Sequence, residues 1–351
     1  MSRKRTLISL LALLIVTVAQ PACPAPQSKP LEIYFIDVEG GQATLFVTPE
    51  GHSLLIDTGW PDNDNRDADR IVAAAKRANI SKIDYVLLTH YHMDHLGGVP
   101  QLLAKIPVGT FIDHGPNREP GDADTEKSWE AYQKALADKK LQRIVAKPGD
   151  ILPIQAIHAE VVSADGATIS SPLPGAGAPN PACATTKKRP ADQTENARSL
   201  GTLITFGKTR ILDLGDLTWD KELDLVCPTN KLGPIDLFVV SHHGWMQSNS
   251  PALLAAISPR VAVMDNGAKK GGSPSTWDII HNSPKLEDLW QLHFSNEGGK
   301  AHNSPDALIA NLPGPDAANY LKVSVAPDGS MEVFNSRSQT MKRYGPAISH
   351  Q

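Results

Sequence analysis

The segment His90-Tyr91-His92-Met93-Asp94-His95 puts three imidazoles and a carboxylate into six positions, behind the apolar run Ile83 to Leu88 and ahead of Gly97-Gly98. Neutral imidazole is the commonest protein ligand for metals, and a carboxylate adds a hard oxygen donor. Alternate residues on extended chain point the same way, so His90 and His92 can share one ion. The chain then turns, and adjacent Asp94 and His95 can face a second. The segment therefore predicts a strand whose end is committed to metal ions.

Three further apolar runs end the same way. Ser53 to Ile56 leads into Asp57-Thr58-Gly59, Ile211 to Leu214 into Gly215-Asp216, and Phe238 to Val240 into Ser241-His242-His243-Gly244. Alternation predicts strands over residues 31–38, 42–48 and 53–57, and an Ala-rich helix over 68–78 precedes the strand 83–88. Helices are expected over 97–105 and 125–140. A hairpin through Gly207-Lys208 is expected to join strands 200–206 and 209–214, followed by a helix over 219–226, a strand over 235–241, a helix over 252–257 and a strand over 261–264. This order places Asp57 and the histidines at the carboxyl ends of strands, where α/β folds gather ligands.

The four motifs, in this order, resemble those of the metallo-β-lactamase superfamily. The resemblance implies an α/β fold, a four-layer αββα sandwich, with two divalent metal ions at one edge. It also implies the ligand roles. His90 and His92 hold the first ion, Asp94 and His95 the second, and Asp216 bridges them. One of His242 and His243 completes the second site. His242, nearer the strand, is the expected ligand, leaving His243 to contact substrate or donate a proton beside Asp94. Asp57 is expected to hydrogen-bond the distal N–H of a ligand histidine and fix its tautomer. Hydrolysis at such a centre uses a metal-bridging hydroxide.

One departure narrows the resemblance. Members of the superfamily typically supply another histidine about 20 residues before the bridging aspartate. Here Thr194 to Leu200 contains none, and Asn196 is the natural substitute. An amide oxygen is a harder donor, so Mn²⁺ becomes acceptable beside the expected Zn²⁺. Asn196, the Ser241-His242-His243-Gly244 doublet and the opening Asp37-Val38-Glu39-Gly40-Gly41-Gln42-Ala43 together resemble the ComEC-type branch, the hydrolase domain of a bacterial DNA-uptake channel and its stand-alone relatives. The opening departs from that branch at Glu39 and Gln42. The branch implies hydrolysis of phosphoester or phosphodiester bonds. The alternatives are a metallohydrolase of a lactone, ester or β-lactam, and a non-catalytic binding protein with a vestigial site. A net charge of −4 and 5% aromatic residues provide neither a basic field nor a stacking platform, so a small-molecule or phosphodiester substrate is favoured over nucleic acid.

Arg3-Lys4-Arg5 followed by the apolar stretch Leu7 to Ala19 predicts an export signal over residues 1–22. The expected destination is the periplasm or the medium. Lipid anchoring at Cys23 is a less favoured route, and no later run is long enough for an integral membrane domain. Residues 23–30 form a Pro-rich linker, 31–335 the hydrolase domain and 336–351 a C-terminal tail. Within the domain, residues 166–193 make an inserted loop too long for an ordinary connection, with Lys187-Lys188-Arg189 available to an anionic substrate. Lys269-Lys270 lies in a second Gly-rich stretch. If Cys23 leaves with the signal, Cys183 and Cys227 remain, either bridged or free.

Overall fold

The computed structural model describes residues 29–61 and 63–346. The expected export signal, Cys23 and most of the linker lie outside the described residues. The chain builds two mixed sheets. In spatial order the first runs Thr340–Tyr344, Met331–Asn335, Leu321–Val325, Leu31–Phe35, Thr44–Val47, Ser53–Ile56, Ile83–Leu87, Val108–Asp113 and Gln142–Val145. The second runs Ile309–Asn311, Asp288–His293, Val261–Met264, Leu237–Val239, Thr209–Asp213, Gly201–Phe206, His158–Ala164 and Ala167–Thr168.

Inner faces of both sheets meet in one core, where Ile33, Phe46, Ile56 and Leu87 pack with Ile204, Ile211, Val239, Val263 and Trp290. The outer face of the first sheet is covered by Arg66–Arg77, Val99–Leu103 and Ala123–Lys139. That of the second is covered by Trp219–Val226, Pro251–Ile257 and Pro274–His281. The result is the αββα sandwich. Parallel strands such as Ser53–Ile56 and Leu237–Val239 are buried on both faces, which is why they are apolar runs rather than alternating ones. Helix Arg66–Arg77 starts with Asp67 and Asp69 and ends with Lys76 and Arg77, complementing its dipole. Helix Ala123–Lys139 is capped by Asp122, which accepts from the Thr125 N–H at 2.8 Å.

Two segments differ from expectation. Residues 336–351 are not simply a tail, because Thr340–Tyr344 adds an edge strand against Met331–Asn335. Tyr344 is buried, and its hydroxyl accepts from Trp290 Nε1 at 2.8 Å. The insertion 166–193 is tied to the helical layer of the second sheet. Asn180 Nδ2 donates to the carbonyls of Val226 and Ala252, and Cys183 is bridged to Cys227. Arg189 sits 3.5 Å over the Trp219 ring and donates to the Met246 carbonyl at 2.5 Å, so its charge is already engaged.

Candidate metal centre

His90, His92, Asp94 and His95 follow the strand Ile83–Leu87 of the first sheet. Asp216 follows Thr209–Asp213, and His242 and His243 follow Leu237–Val239, both in the second sheet. The centre therefore lies where equivalent ends of the two sheets meet. Close approach fixes its frame. A Cβ at Gly41 would stand 2.3 Å from the Asp94 carbonyl, and Gly215, at φ +54°, leaves no room for one against Thr89.

Asp94, His95, Asp216 and His243 gather tightly enough to share one cation. His95 Nε2 lies 3.3 Å from both Asp94 Oδ2 and Asp216 Oδ1, and His243 Nε2 lies 3.1 Å from Asp94 Oδ2. On the other side, His90 Nε2 faces His92 Nδ1 at 3.1 Å and lies 3.8 Å from Asp216 Oδ2. His242 Nε2 lies 3.3 Å from that same oxygen. The two adjacent histidines thus straddle Asp216. Of the two, His243 joins Asp94 and His95, whereas the sequence favoured His242 for that position. The reason is backbone conformation: both residues have positive φ, 55° and 52°, and their rings point apart, 77° between planes. Asn196 lies in the turn Glu195–Arg198, buried, with its side-chain oxygen lacking a hydrogen-bond partner.

The hydrogen bonds around the histidines define which nitrogens face inward. Asp57, itself at φ 61°, accepts from His95 Nδ1 at 2.7 Å, from the Thr89 N–H at 2.8 Å and from Thr89 Oγ1 at 2.7 Å. Having donated to Asp57, the Thr89 hydroxyl accepts from His90 Nδ1 at 3.0 Å. Glu119 Oε2 takes His92 Nε2 at 3.1 Å, and Asp265 takes His243 Nδ1 at 3.3 Å. These partners set the tautomers by network logic. The inward nitrogens of His90 and His92 are then both lone pairs, 3.1 Å apart, whereas those of His95 and His243, also 3.1 Å apart, hold protons against the carboxylates in the place a cation would take. Facing lone pairs repel unless a cation lies between them. Asp216 Oδ1 is also buried without a hydrogen-bond partner. The donor set, imidazole nitrogen plus carboxylate oxygen, suits a divalent metal.

The electrostatics agree. Burial pushes His95 and His243 down, yet the surrounding carboxylates, Asp216 foremost, hold His95 well above its ordinary range and His243 at about 9. Burial pushes Asp94 up, yet Lys270 and His95 hold it well below the usual carboxylate range. The site favours positive charge.

Several contributors are not evident from sequence. Glu119 also accepts from the Glu195 N–H at 2.9 Å, and buried Glu195 receives the Tyr91 N–H at 3.2 Å and His114 Nε2 at 2.9 Å. Glu119 lies in the loop after Val108–Asp113, the strand beside Ile83–Leu87, and that position is its only signal. Asp265 directly follows the strand Val261–Met264 and repeats the strand-end pattern. Lys270 reaches Asp94 from the Gly-rich stretch, its ammonium 4.8 Å from the Trp60 ring centre. A separate group, Asp37, Glu39 and His293, is already compensated by Arg70, 3.0 Å from Asp37.

Residues 37–176 match the family model described as the Metallo-beta-lactamase superfamily. Asp216, His242 and His243 lie beyond the matched segment and are brought to it by the fold. Among curated proteins, the chain is 26% identical over 243 residues to Recombination protein 2 of Haemophilus influenzae, covering 68% of this chain and 25% of that one. It is 29% identical over 114 residues to a hydroxyacylglutathione hydrolase of Stenotrophomonas maltophilia, covering 32% of this chain and 40% of that one. The chain thus spans between a quarter and two fifths of the length of these relatives. A solved diphosphatase of the PhnP family is similar at 12% identity and a TM-score of 0.39, covering 84% of this chain and 98% of that one. Among the described residues, no helix is long and apolar enough to cross a membrane.

Proposed function

We propose that the protein is a metal-dependent hydrolase of phosphoester or phosphodiester bonds, working with two divalent ions. The observation that carries this is the position of Asp216, whose two oxygens face two separate sets of imidazole nitrogens. In this reading His90 and His92 hold one ion, with Asn196 a candidate oxygen donor. Asp94, His95 and His243 hold the other, and Asp216 serves both. Bound there, the ions supply Lewis acidity and lower the pKa of a water. The chain orients its ligands through Asp57, Thr89, Glu119 and Asp265, and Lys270, paired with Asp94, would turn to an anionic group of the substrate once an ion takes that carboxylate. A cation in that place suits a phosphoester better than a neutral ester. The likeness to Recombination protein 2, which spans most of this chain, supports the same side. Zinc and manganese both suit the donors, with zinc favoured by the number of imidazoles. Export to the periplasm or medium remains part of this proposal, resting on residues 1–22.

The likeness to hydroxyacylglutathione hydrolase keeps a second reading in view, hydrolysis of a carboxylic ester, thioester or lactone. Metal analysis of the purified protein, followed by turnover assays on a bis-aryl phosphodiester, a thioester and a lactone, separates the readings. Two metals per chain and phosphodiester turnover that Asp216→Ala abolishes are expected. A protein that binds no metal after exposure to zinc or manganese would sink the proposal, and turnover confined to the thioester or lactone would favour the second reading.

A further inference from the structure

We infer that His242 supplies the third imidazole of the first metal site, so that this site is built from His90, His92 and His242 around Asp216 Oδ2. The inference rests on the dinuclear reading above and revises what the sequence suggests, since the doublet was expected to serve the second ion and Asn196 to fill the place of the missing histidine.

Three observations carry it. First, His242 Nε2 and His90 Nε2 converge on one oxygen, Asp216 Oδ2, at 3.3 and 3.8 Å. His92 Nδ1 joins them through its 3.1 Å approach to His90 Nε2. Second, His242 is held in the same way as His90. Ser248 Oγ donates to the Asp216 carbonyl at 3.4 Å and so accepts from His242 Nδ1 at 3.3 Å. That leaves Nε2 as a lone pair aimed at a carboxylate oxygen, an unfavourable meeting unless a cation intervenes. The Thr89 hydroxyl does the same for His90, donating to Asp57 and accepting from His90 Nδ1. Third, the ring is buried, 7% exposed, and stacked against Trp245, which limits its freedom to turn away. The successive positive-φ residues 242 and 243 are what allow neighbours in sequence to serve opposite sides of one carboxylate.

The full chain, loaded with cobalt(II), provides the test. In the parent protein five exchangeable imidazole N–H resonances should be shifted by the paramagnetic ions, one for each of His90, His92, His95, His242 and His243. Four, with His242 unshifted, would overturn the inference without needing a variant. His242→Ala should keep one tightly held metal and lose at least about tenfold in affinity for the other in chelator competition, in line with the loss of a metal-supporting group. Undiminished affinity for both metals in a folded His242→Ala protein would exclude His242 as a ligand while leaving the dinuclear reading intact. Failure of the parent protein to bind a second metal would instead remove that reading.

Discussion

Asp57 accepts the His95 Nδ1 proton at 2.7 Å, and the same carboxylate holds Thr89, the residue just before His90. One buried side chain thus orients ligands on both sides of the centre, through a direct bond to His95 and through the Thr89 hydroxyl to His90. Asp57→Asn keeps the shape and removes the charge. It should lower metal affinity by about 10- to 100-fold, the usual cost of losing such a partner. Chelator competition measures this, and unchanged affinity would confine Asp57 to a structural role in its turn.

Glu119 should matter to one ion alone. Its carboxylate meets His92 and the Glu195 N–H, on the side of the centre away from His95 and His243. Glu119→Gln should weaken the first ion about tenfold or more and spare the second. A stepwise cobalt titration followed by absorbance resolves the two, and equal weakening of both would argue against this division.

Lys270 tests the sign of the substrate's charge. Its ammonium pairs with Asp94 at the rim and lies over Trp60. Charge-assisted hydrogen bonds contribute roughly 1.5–3 kcal/mol, so Lys270→Met should raise KM for an anionic phosphodiester by about 10- to 100-fold. A neutral ester should be affected far less. An equal change on both substrates would show that Lys270 supports the fold of its loop rather than the binding of charge.

Away from the metals, Glu222 predicts a pH effect on stability. It is buried in the helix Trp219–Val226 and accepts the Asn249 and Ser250 N–H groups at 2.6 and 2.7 Å. Burial raises it from 4.5 to about 7. The folded chain therefore keeps a proton that the unfolded chain releases. Its contribution is fully present below pH ~4.5 and is lost as pH rises to about 7, on the order of 3 kcal/mol at ~1.4 kcal/mol per pKa unit. Asp213, raised by burial to about 7, acts over the same window. Glu222→Gln should flatten part of the fall in denaturation midpoint between pH 5 and 7, and an unaltered profile would refute the assignment.

Much of this centre is legible in the sequence because each ligand closes an apolar run, and a buried parallel strand leaves little else at its end to be polar. Asp57, the histidines after Leu88, Asp216 and the doublet at 242 and 243 all announce themselves in this way. What the sequence does not contain is the direction of a side chain after a left-handed turn. Hence His242 and His243 were distinguishable only once their positive φ angles were known. Glu119 was hidden, and Lys270 visible only as half of a basic pair with no stated partner, for a different reason: each comes from an irregular loop whose partner is chosen by the packing of distant strands. Thr340–Tyr344 shows four exposed residues, so the burial of Tyr344 against Trp290 had no local signature.

The position of the centre across the seam of the sandwich has a mechanical consequence. Histidines 90, 92 and 95 follow a strand of one sheet and Asp216 with its neighbouring histidines strands of the other, so an ion held there would act as a rivet across a seam otherwise closed by apolar packing and a few polar bonds such as Gln42 to Asp213. A ligand that binds only the assembled form adds about 2.7 kcal/mol of stability when present at 100 times its dissociation constant. Chelation should therefore do more than silence the protein. It should loosen the seam, lower the melting temperature and admit protease first at the loops that carry the ligands, so that metal supply sets the protein's lifetime.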